Sequence, residues 1–191
     1  MKKICIINGN PKRDSYCGAL AEAYQQGALS KDHQVRVFSV GDLAFDPVLR
    51  EGYDEQQNLE PDLVAVQEAV RWAHHTVWIF PVWWGAMPAA LKGLIDRIFL
   101  PGFAFRFDCG PLPTKLLAGR SARVITTMDS PPMIYKLLYG APVHTMMRKT
   151  VLEFCGVDPV KITSLGPLKM AANCRKESWL SMVEGIGRRA D

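Results

Sequence analysis

Two adjacent tryptophans, Trp83 and Trp84, followed by Gly85 and set between Pro81 and Pro88, are the residues here best suited to holding a ligand. Large aromatic surface in a loop is seldom left near water without a partner. The indole faces suit a flat aromatic molecule, and the backbone N–H groups of Trp83, Trp84 and Gly85 are expected to reach its polar edge. The plainer alternative is that both rings pack beneath the loop or against a second subunit. A second stretch, Asn8-Gly9-Asn10-Pro11-Lys12-Arg13-Asp14-Ser15-Tyr16-Cys17-Gly18, carries a different chemistry. A turn there runs into a helix start, where Ser15, exposed N–H groups and the helix dipole stabilise a phosphate. The stretch contains neither G-x-x-x-x-G-K-[ST] nor G-x-G-x-x-G, which disfavours nucleoside-triphosphate hydrolysis and a tight dinucleotide-binding turn. Alone, it reads equally well as an ordinary strand–helix connection with a serine cap and a solvated Lys-Arg pair. A flat ring at one loop and a phosphate at the other together describe a flavin.

These loops must be positioned by regular elements. Val77–Phe80 is a short apolar run rich in β-branched and aromatic residues, which suits a strand buried on both faces of a parallel sheet. Leu91, Leu94, Ile95, Ile98 and Phe99 then recur at helical spacing, with Lys92, Asp96 and Arg97 between them. Further strands are expected at Lys3–Ile7, Gln34–Ser39, Arg123–Thr127 and Pro159–Leu165. Further helices are expected from a cap at Asp14 or Ser15 through Gly27, and over Asp62–Ala73, Pro142–Phe154 (closed by Gly156) and Arg175–Arg188. Gly41–Pro61 reads as a long surface loop, the alternation of Phe103, Phe105 and Phe107 as a hairpin-like insertion, and Met128–Gly140 as a loop. Strands alternating with helices predict an α/β fold, a parallel sheet with helices on both faces. Five strands match the flavodoxin-like order 2-1-3-4-5, a three-layer sandwich whose flavin site lies between the first and third strands, where both loops fall.

The 191 residues suit one domain, 1–191, and the composition (48% hydrophobic, 22% charged) is that of an ordinary globular protein. A net charge of +4 with no block of like charge argues against nucleic-acid binding and mildly favours anionic ligands. No signal peptide or membrane span is expected, so the chain is read as cytoplasmic and not inserted in a membrane. Cys5, Cys17, Cys109, Cys155 and Cys174 are scattered and show no C-x-x-C; Cys5 and Cys155 suit buried, reduced thiols, and no metal site with the four histidines is expected.

Pro81–Phe105, PVWWGAMPAALKGLIDRIFLPGFAF, closely resembles the same stretch of flavodoxin-like NAD(P)H:quinone reductases and of the related ancillary subunits of potassium-efflux systems. Asn8-x-x-Pro11-x-x-x-Ser15, Thr126-Thr127 and Phe154-Cys155-Gly156 extend the resemblance over most of the chain. It implies FMN, with FAD the alternative that larger relatives hold using extra chain, and NADPH or NADH as co-substrate. By the same resemblance, Asn10, Ser15, Tyr16 and Cys17 hold the flavin phosphate or its neighbourhood. Pro81, Val82, Trp83, Trp84 and Gly85 line the isoalloxazine, and Thr126, Thr127 and Met128 meet its other edge. Two departures stand out: Asn10 where many relatives carry His, and Met128-Asp129 where they carry Gly-Gly. Tyr135, Tyr139 and His144 fall near a Tyr–His pair that assists hydride transfer in some relatives, while His144 on its Met-rich helix also has a purely structural reading. A quinone-like acceptor, ping-pong turnover and a homodimer that completes each pocket are implied. The alternative is a regulatory flavoprotein that binds and activates a potassium-efflux transporter.

Overall fold

The strand that leads into the paired tryptophans is buried along its whole length. His75–Pro81 (β3) lies at the centre of a five-stranded parallel sheet, between Lys3–Asn8 (β1) and Ser121–Thr127 (β6). Gln34–Ser39 (β2) pairs outside β1, and Val160–Leu165 (β7) outside β6. Counting sheet strands alone, the order is the 2-1-3-4-5 read from the sequence. The computed structural model describes every residue except Gln56, Cys109 and Pro111, so Cys109 lies outside the described residues.

Side chains alternate along each strand and feed two cores. Ile4, Ile6, Val77, Ile79 and Ile125 face Tyr16–Leu29 (α1) and Asn173–Arg189 (α6). Cys5, Ile7, Trp78, Phe80 and Val124 face Pro61–Trp72 (α2) and Ala89–Ile98 (α3). Trp78 is fully buried, donates Nε1–H to Thr76 Oγ1 at 3.1 Å, and packs on Phe99 at 5.8 Å. Burial pushes the Cys5 and Cys155 thiols up to about 12, leaving both inert, whereas Cys174 is exposed. The α1–α6 pair meets backbone to backbone. A Cβ on Gly27 would sit 2.0 Å from Glu184 O, and one on Gly187 would sit 2.2 Å from Tyr24 O. This contact fixes the azimuth of α1, and with it the helix start beside β1.

The long loop before α2 is tied down by a charge. Arg97 on α3 is completely buried and donates to the carbonyls of Asp46 and Asn58 and to Glu60, whose Oε2 lies at 2.8 Å. Glu60 in turn accepts from the Asp46 N–H at 3.0 Å. One guanidinium therefore organises a passage with no periodicity of its own. Beyond α3, Phe105–Arg106 (β4) and Thr114–Lys115 (β5) form the hairpin-like insertion. Phe103 is buried and Phe105 half-buried, so Phe107 is the exposed member of that aromatic series.

Two stretches differ from the sequence reading. Met128–Gly140 is not a plain loop: Pro132–Tyr139 (α4) is helical, with Pro132 in the first turn and Gly140 closing it in the left-handed region at φ 70. The expected helix from Pro142 begins as a single α-turn, Pro142–Thr145 (α5), and widens into a π-helix over Met146–Leu152, where Glu153 N–H bonds the Arg148 carbonyl five residues back. Gly156 does end it, at φ 99.

Candidate active site

The loops after β1, β3, β6 and β7 meet at the carboxyl edge of the sheet. Between the first two lies the point where strand order reverses, and the crevice there is where open α/β sheets take ligands. Ser15 is the α1 N-cap: its Oγ accepts from Gly18 N–H at 3.2 Å, and its own hydroxyl proton is left to donate. The N–H groups of Tyr16 and Cys17, in the first helical turn, have no acceptor among the described residues. Asn10 is nearly buried and shapes the approach, its Oδ1 accepting from Lys12 N–H at 3.0 Å. The other polar atoms here are occupied. The Tyr16 hydroxyl donates to Lys176 O at 2.7 Å, and burial, with Cys17 adding, pushes it up to about 12. Cys17 Sγ lies 3.4 Å from Thr127 Oγ1, and burial raises that thiol too. A cavity of about 380 Å³ opens over this cradle, bounded by Ser15, Tyr16, Cys17, Pro81, Val82 and Thr127.

The tryptophan loop is a tight hairpin. Trp83 and Ala86 exchange N–H···O bonds of 2.9 Å, with Trp84 at φ 52 and Gly85 at φ 75 as the two central residues. Positive φ at both is the type I′ pattern, which ordinarily calls for Asn-Gly. The turn consumes the Trp83 N–H, so of the three donors expected from the sequence only those of Trp84 and Gly85 remain unused among the described residues. Val82 N–H donates to Thr127 O at 2.7 Å and extends the sheet to the pocket. Trp84 is fully solvent-exposed, a bulky side chain held in a costly backbone conformation. Trp84→Asn should therefore raise stability by roughly 0.5–1 kcal/mol while weakening a stacked ligand about threefold to tenfold. A paired measurement of urea midpoint and ligand titration checks it; a fall in both would assign Trp84 a packing role.

Beyond the hairpin a cavity of about 670 Å³ is bounded by Trp84, Gly85, Tyr135, Tyr139 and Pro142, and it shares Val82, Met128 and Asp129 with the cavity over the α1 start. The two form one cleft over the ends of β3 and β6. The three Tyr and His candidates divide. Tyr135 is buried, its hydroxyl donating to Gly85 O at 2.8 Å and accepting from Val143 N–H at 3.2 Å, so it clamps the hairpin to α5. His144 is half-buried, with Nε2 3.0 Å from Thr126 Oγ1 and 3.4 Å from Ser164 Oγ. Burial, with Arg148 nearby, lowers its pKa and keeps the ring neutral. Tyr139 is exposed at the cleft wall. Thr126 is fully buried and turned toward His144, whereas Thr127 faces Cys17, so only one of the two threonines turns its side chain toward the start of α1.

The sequence reading missed Leu168 and Lys169, which close the cavity over the α1 start from the loop after β7. Leu168 N–H bonds Met128 O at 2.9 Å, and Lys169 Nζ pairs with Asp129 at 3.0 Å. The signal available was position: they follow the last strand at the same edge of the sheet. Among the described residues, no group of three His, Cys, Asp or Glu side chains could hold a metal ion, and no helix is long and apolar enough to cross a membrane.

A helix-start cradle joined to an aromatic hairpin at the switch point of a 2-1-3-4-5 sheet defines the flavodoxin-like class, and residues 2–181 match that family, described as the flavodoxin-like fold. The chain belongs to it. Among its relatives, NAD(P)H dehydrogenase [quinone] 1 of Cavia porcellus is 26% identical over 82% of this chain, which spans 65% of that protein. The FMN-dependent NADH:quinone oxidoreductase of Ruegeria pomeroyi is 28% identical over 87% of this chain and 90% of its own length. The crystal structure of Smu.1420 from Streptococcus mutans superposes with a TM-score of 0.82 at 30% identity, covering 97% of this chain and 98% of that one.

Proposed function

We propose that this chain is a cytoplasmic FMN-dependent NAD(P)H oxidoreductase that reduces quinones or similar acceptors, working as one domain over 1–191. The observation that carries it is the set of unused donors at two loops of one cleft: Tyr16 and Cys17 N–H with the Ser15 hydroxyl at one end, Trp84 and Gly85 N–H at the other. That set fits a phosphate and the polar edge of a flat ring. When bound, FMN supplies the two-electron chemistry between a nicotinamide and the acceptor. The relative named FMN-dependent, aligned over nearly its whole length, supports FMN over FAD.

The chain's own residues bind, orient and exclude water. Ser15 and the α1 N-terminus neutralise the phosphate. Pro81 and Val82 form the floor, and the Trp84 indole and Tyr139 border the open side. Tyr135 and His144 act as positioning residues, because their polar atoms are engaged with the hairpin, α5 and Thr126. Tyr139 is the side chain free to touch substrate, as a hydrogen-bond donor. One open side admits one planar partner at a time, so the nicotinamide leaves before the acceptor enters. Double-reciprocal plots at several acceptor concentrations should be parallel, and intersecting lines would contradict the single-site account.

Ser15→Ala should weaken FMN binding tenfold or more, from loss of a charge-assisted bond worth about 1.5–3 kcal/mol. It also removes the cap, for about 1 kcal/mol of stability. Ser15→Asp separates the two effects: it keeps the cap and repels the phosphate, so it should stay stable and bind FMN worst of all. An unchanged FMN dissociation constant in Ser15→Ala would move the phosphate elsewhere.

A homodimer is part of this proposal. Met133, Ile134, Leu137 and Leu138 expose the outer face of α4 beside the cleft, and an apolar groove of about 510 Å³ runs between Ile95, Phe99, Phe105, Phe107 and Met146. Such surface is seldom left in water, and a two-fold contact is its commonest cover. The regulatory alternative, docking on a potassium-efflux transporter, would use the same α4 face.

A further inference from the structure

Behind the cleft lies a second cavity that the proposed chemistry does not use. It holds about 360 Å³ and backs onto the cleft through the α4–α5 corner. Successive residues of that corner look to opposite sides: Tyr135, Tyr139 and Pro142 border the cleft, while Lys136, Gly140 and Ala141 border the rear cavity. Three cationic side chains converge there, Lys136 from α4 with Arg148 and Lys149 from the π-helix, and among the described residues no carboxylate borders the cavity. None of the three enters an ion pair among the described residues. Arg148 Nε is buried with no hydrogen-bond partner among the described residues.

The helix geometry explains the convergence. In an ordinary α-helix, residues four apart share a face and residues five apart do not. The π-helix, with its bonds five residues back, turns more widely, and this brings Lys149, five residues beyond His144, to the cavity that His144 and Arg148, four apart, already share. A guanidinium and two ammonium groups with no acidic neighbour form a receptor for a multiply charged oxyanion.

We infer that this cavity takes a phosphate monoester, the ribose 2′-phosphate of NADPH, and so sets the coenzyme preference; the inference rests on the oxidoreductase reading above. A nicotinamide seated in the cleft leaves its nucleotide tail to pass the α4–α5 corner, beyond which the three cations lie. A site built for NADH would offer an acceptor to the free 2′-hydroxyl, ordinarily a carboxylate, whereas arginine without a carboxylate suits the 2′-phosphate. The wider turn thus converts the back of the active-site wall into a discriminating subsite.

The test compares the wild type with Arg148→Ala/Lys149→Ala, both loaded with FMN. Wild type should favour NADPH, and the double variant should raise the ratio of KM for NADPH to KM for NADH about tenfold or more. Calorimetry supplies a readout free of turnover: 2′,5′-ADP should bind the wild type more tightly than 5′-AMP does, and the double variant should lose that advantage. Equal losses for NADPH and NADH would assign the cations to the shared pyrophosphate and overturn the inference. Inorganic phosphate binding as tightly as 2′,5′-ADP would make the cavity a free-anion site and overturn it as well. A wild type that holds FMN yet oxidises neither coenzyme would sink the oxidoreductase reading instead, while the 2′,5′-ADP comparison would still decide the cavity.

Discussion

Glu60→Ala should cost the fold about 3–5 kcal/mol, because it leaves the fully buried Arg97 guanidinium without its counter-charge. Arg97→Met should cost less. It removes the charge while keeping an apolar stem of similar reach, and Glu60, about a third exposed, can be rehydrated. The order of the two is the diagnostic result, since a simple loss of contacts would make the larger side chain the more costly to remove. Urea unfolding of both variants checks it, and a Glu60→Ala cost below about 1 kcal/mol would mean that Arg97 finds another acceptor. The carboxyl of Glu60 is held below the usual glutamate range: desolvation pushes it up, but the Asp46 and Glu60 N–H groups and Arg97 outweigh that. A depressed carboxylate adds stability that is present above its unfolded pKa and lost as pH falls through its folded one. This contribution therefore fades only in acid.

The second large effect is a pH dependence set by His75. Its ring is completely buried, Nδ1 lies 2.7 Å from Ser121 Oγ, Nε2 has no partner among the described residues, and it stacks on Tyr24 at 6.4 Å. Burial, followed by the charges of Lys2 and Arg123, lowers its pKa from 6.5 to about 3. Between those values the unfolded chain binds a proton that the folded chain refuses, so stability falls as pH falls from 6.5. From pH 6.5 to 5 the loss should be about 2 kcal/mol, in a window where ordinary carboxylates remain ionised. His75→Asn, which keeps a polar atom toward Ser121, should flatten most of that slope, the remainder belonging to His144 with its smaller shift in the same direction. An unchanged slope in the variant would show that His75 is protonated in the folded protein or titrates with a different partner.

How much of this the sequence disclosed depended on whether the governing forces were local. The five sheet strands followed from apolar runs separated by helical periodicity, since burial on both faces leaves a continuous hydrophobic signature such as Val77–Phe80, and their order followed from the flavodoxin-like pattern that such alternation matches. Ser15 as cap of α1 was legible because capping is decided within four residues. The hairpin at Trp83–Ala86 was not, because Trp-Gly does not announce a type I′ turn; the surrounding fold holds Trp84 at positive φ against its own preference. Pro131-Pro132 read as a loop, although Pro132 in the first turn is compatible with a helix, and Tyr135 fixes that helix through contacts 50 and 8 residues away. The π-helix leaves no periodic trace, because seven residues are too few to tell a wider turn from an α-helix. Burial of His75 and Arg97, and the closure of the site by Leu168 and Lys169, arise from chain segments far apart in sequence and become visible only when packed.

The central claim is that one cleft across the β1 and β3 loops holds FMN, with its phosphate on the α1 N-terminus and its ring against the tryptophan hairpin. The measurement that tests it most directly is FMN titration of the flavin-free protein, followed by visible absorbance and Trp fluorescence, in the wild type, Ser15→Asp and Trp84→Asn. The account predicts stoichiometric binding with quenched Trp fluorescence in the wild type, the largest loss of affinity in Ser15→Asp, and a smaller loss with altered flavin spectrum in Trp84→Asn. Full FMN affinity in Ser15→Asp, or no flavin binding by a folded wild type, would contradict it.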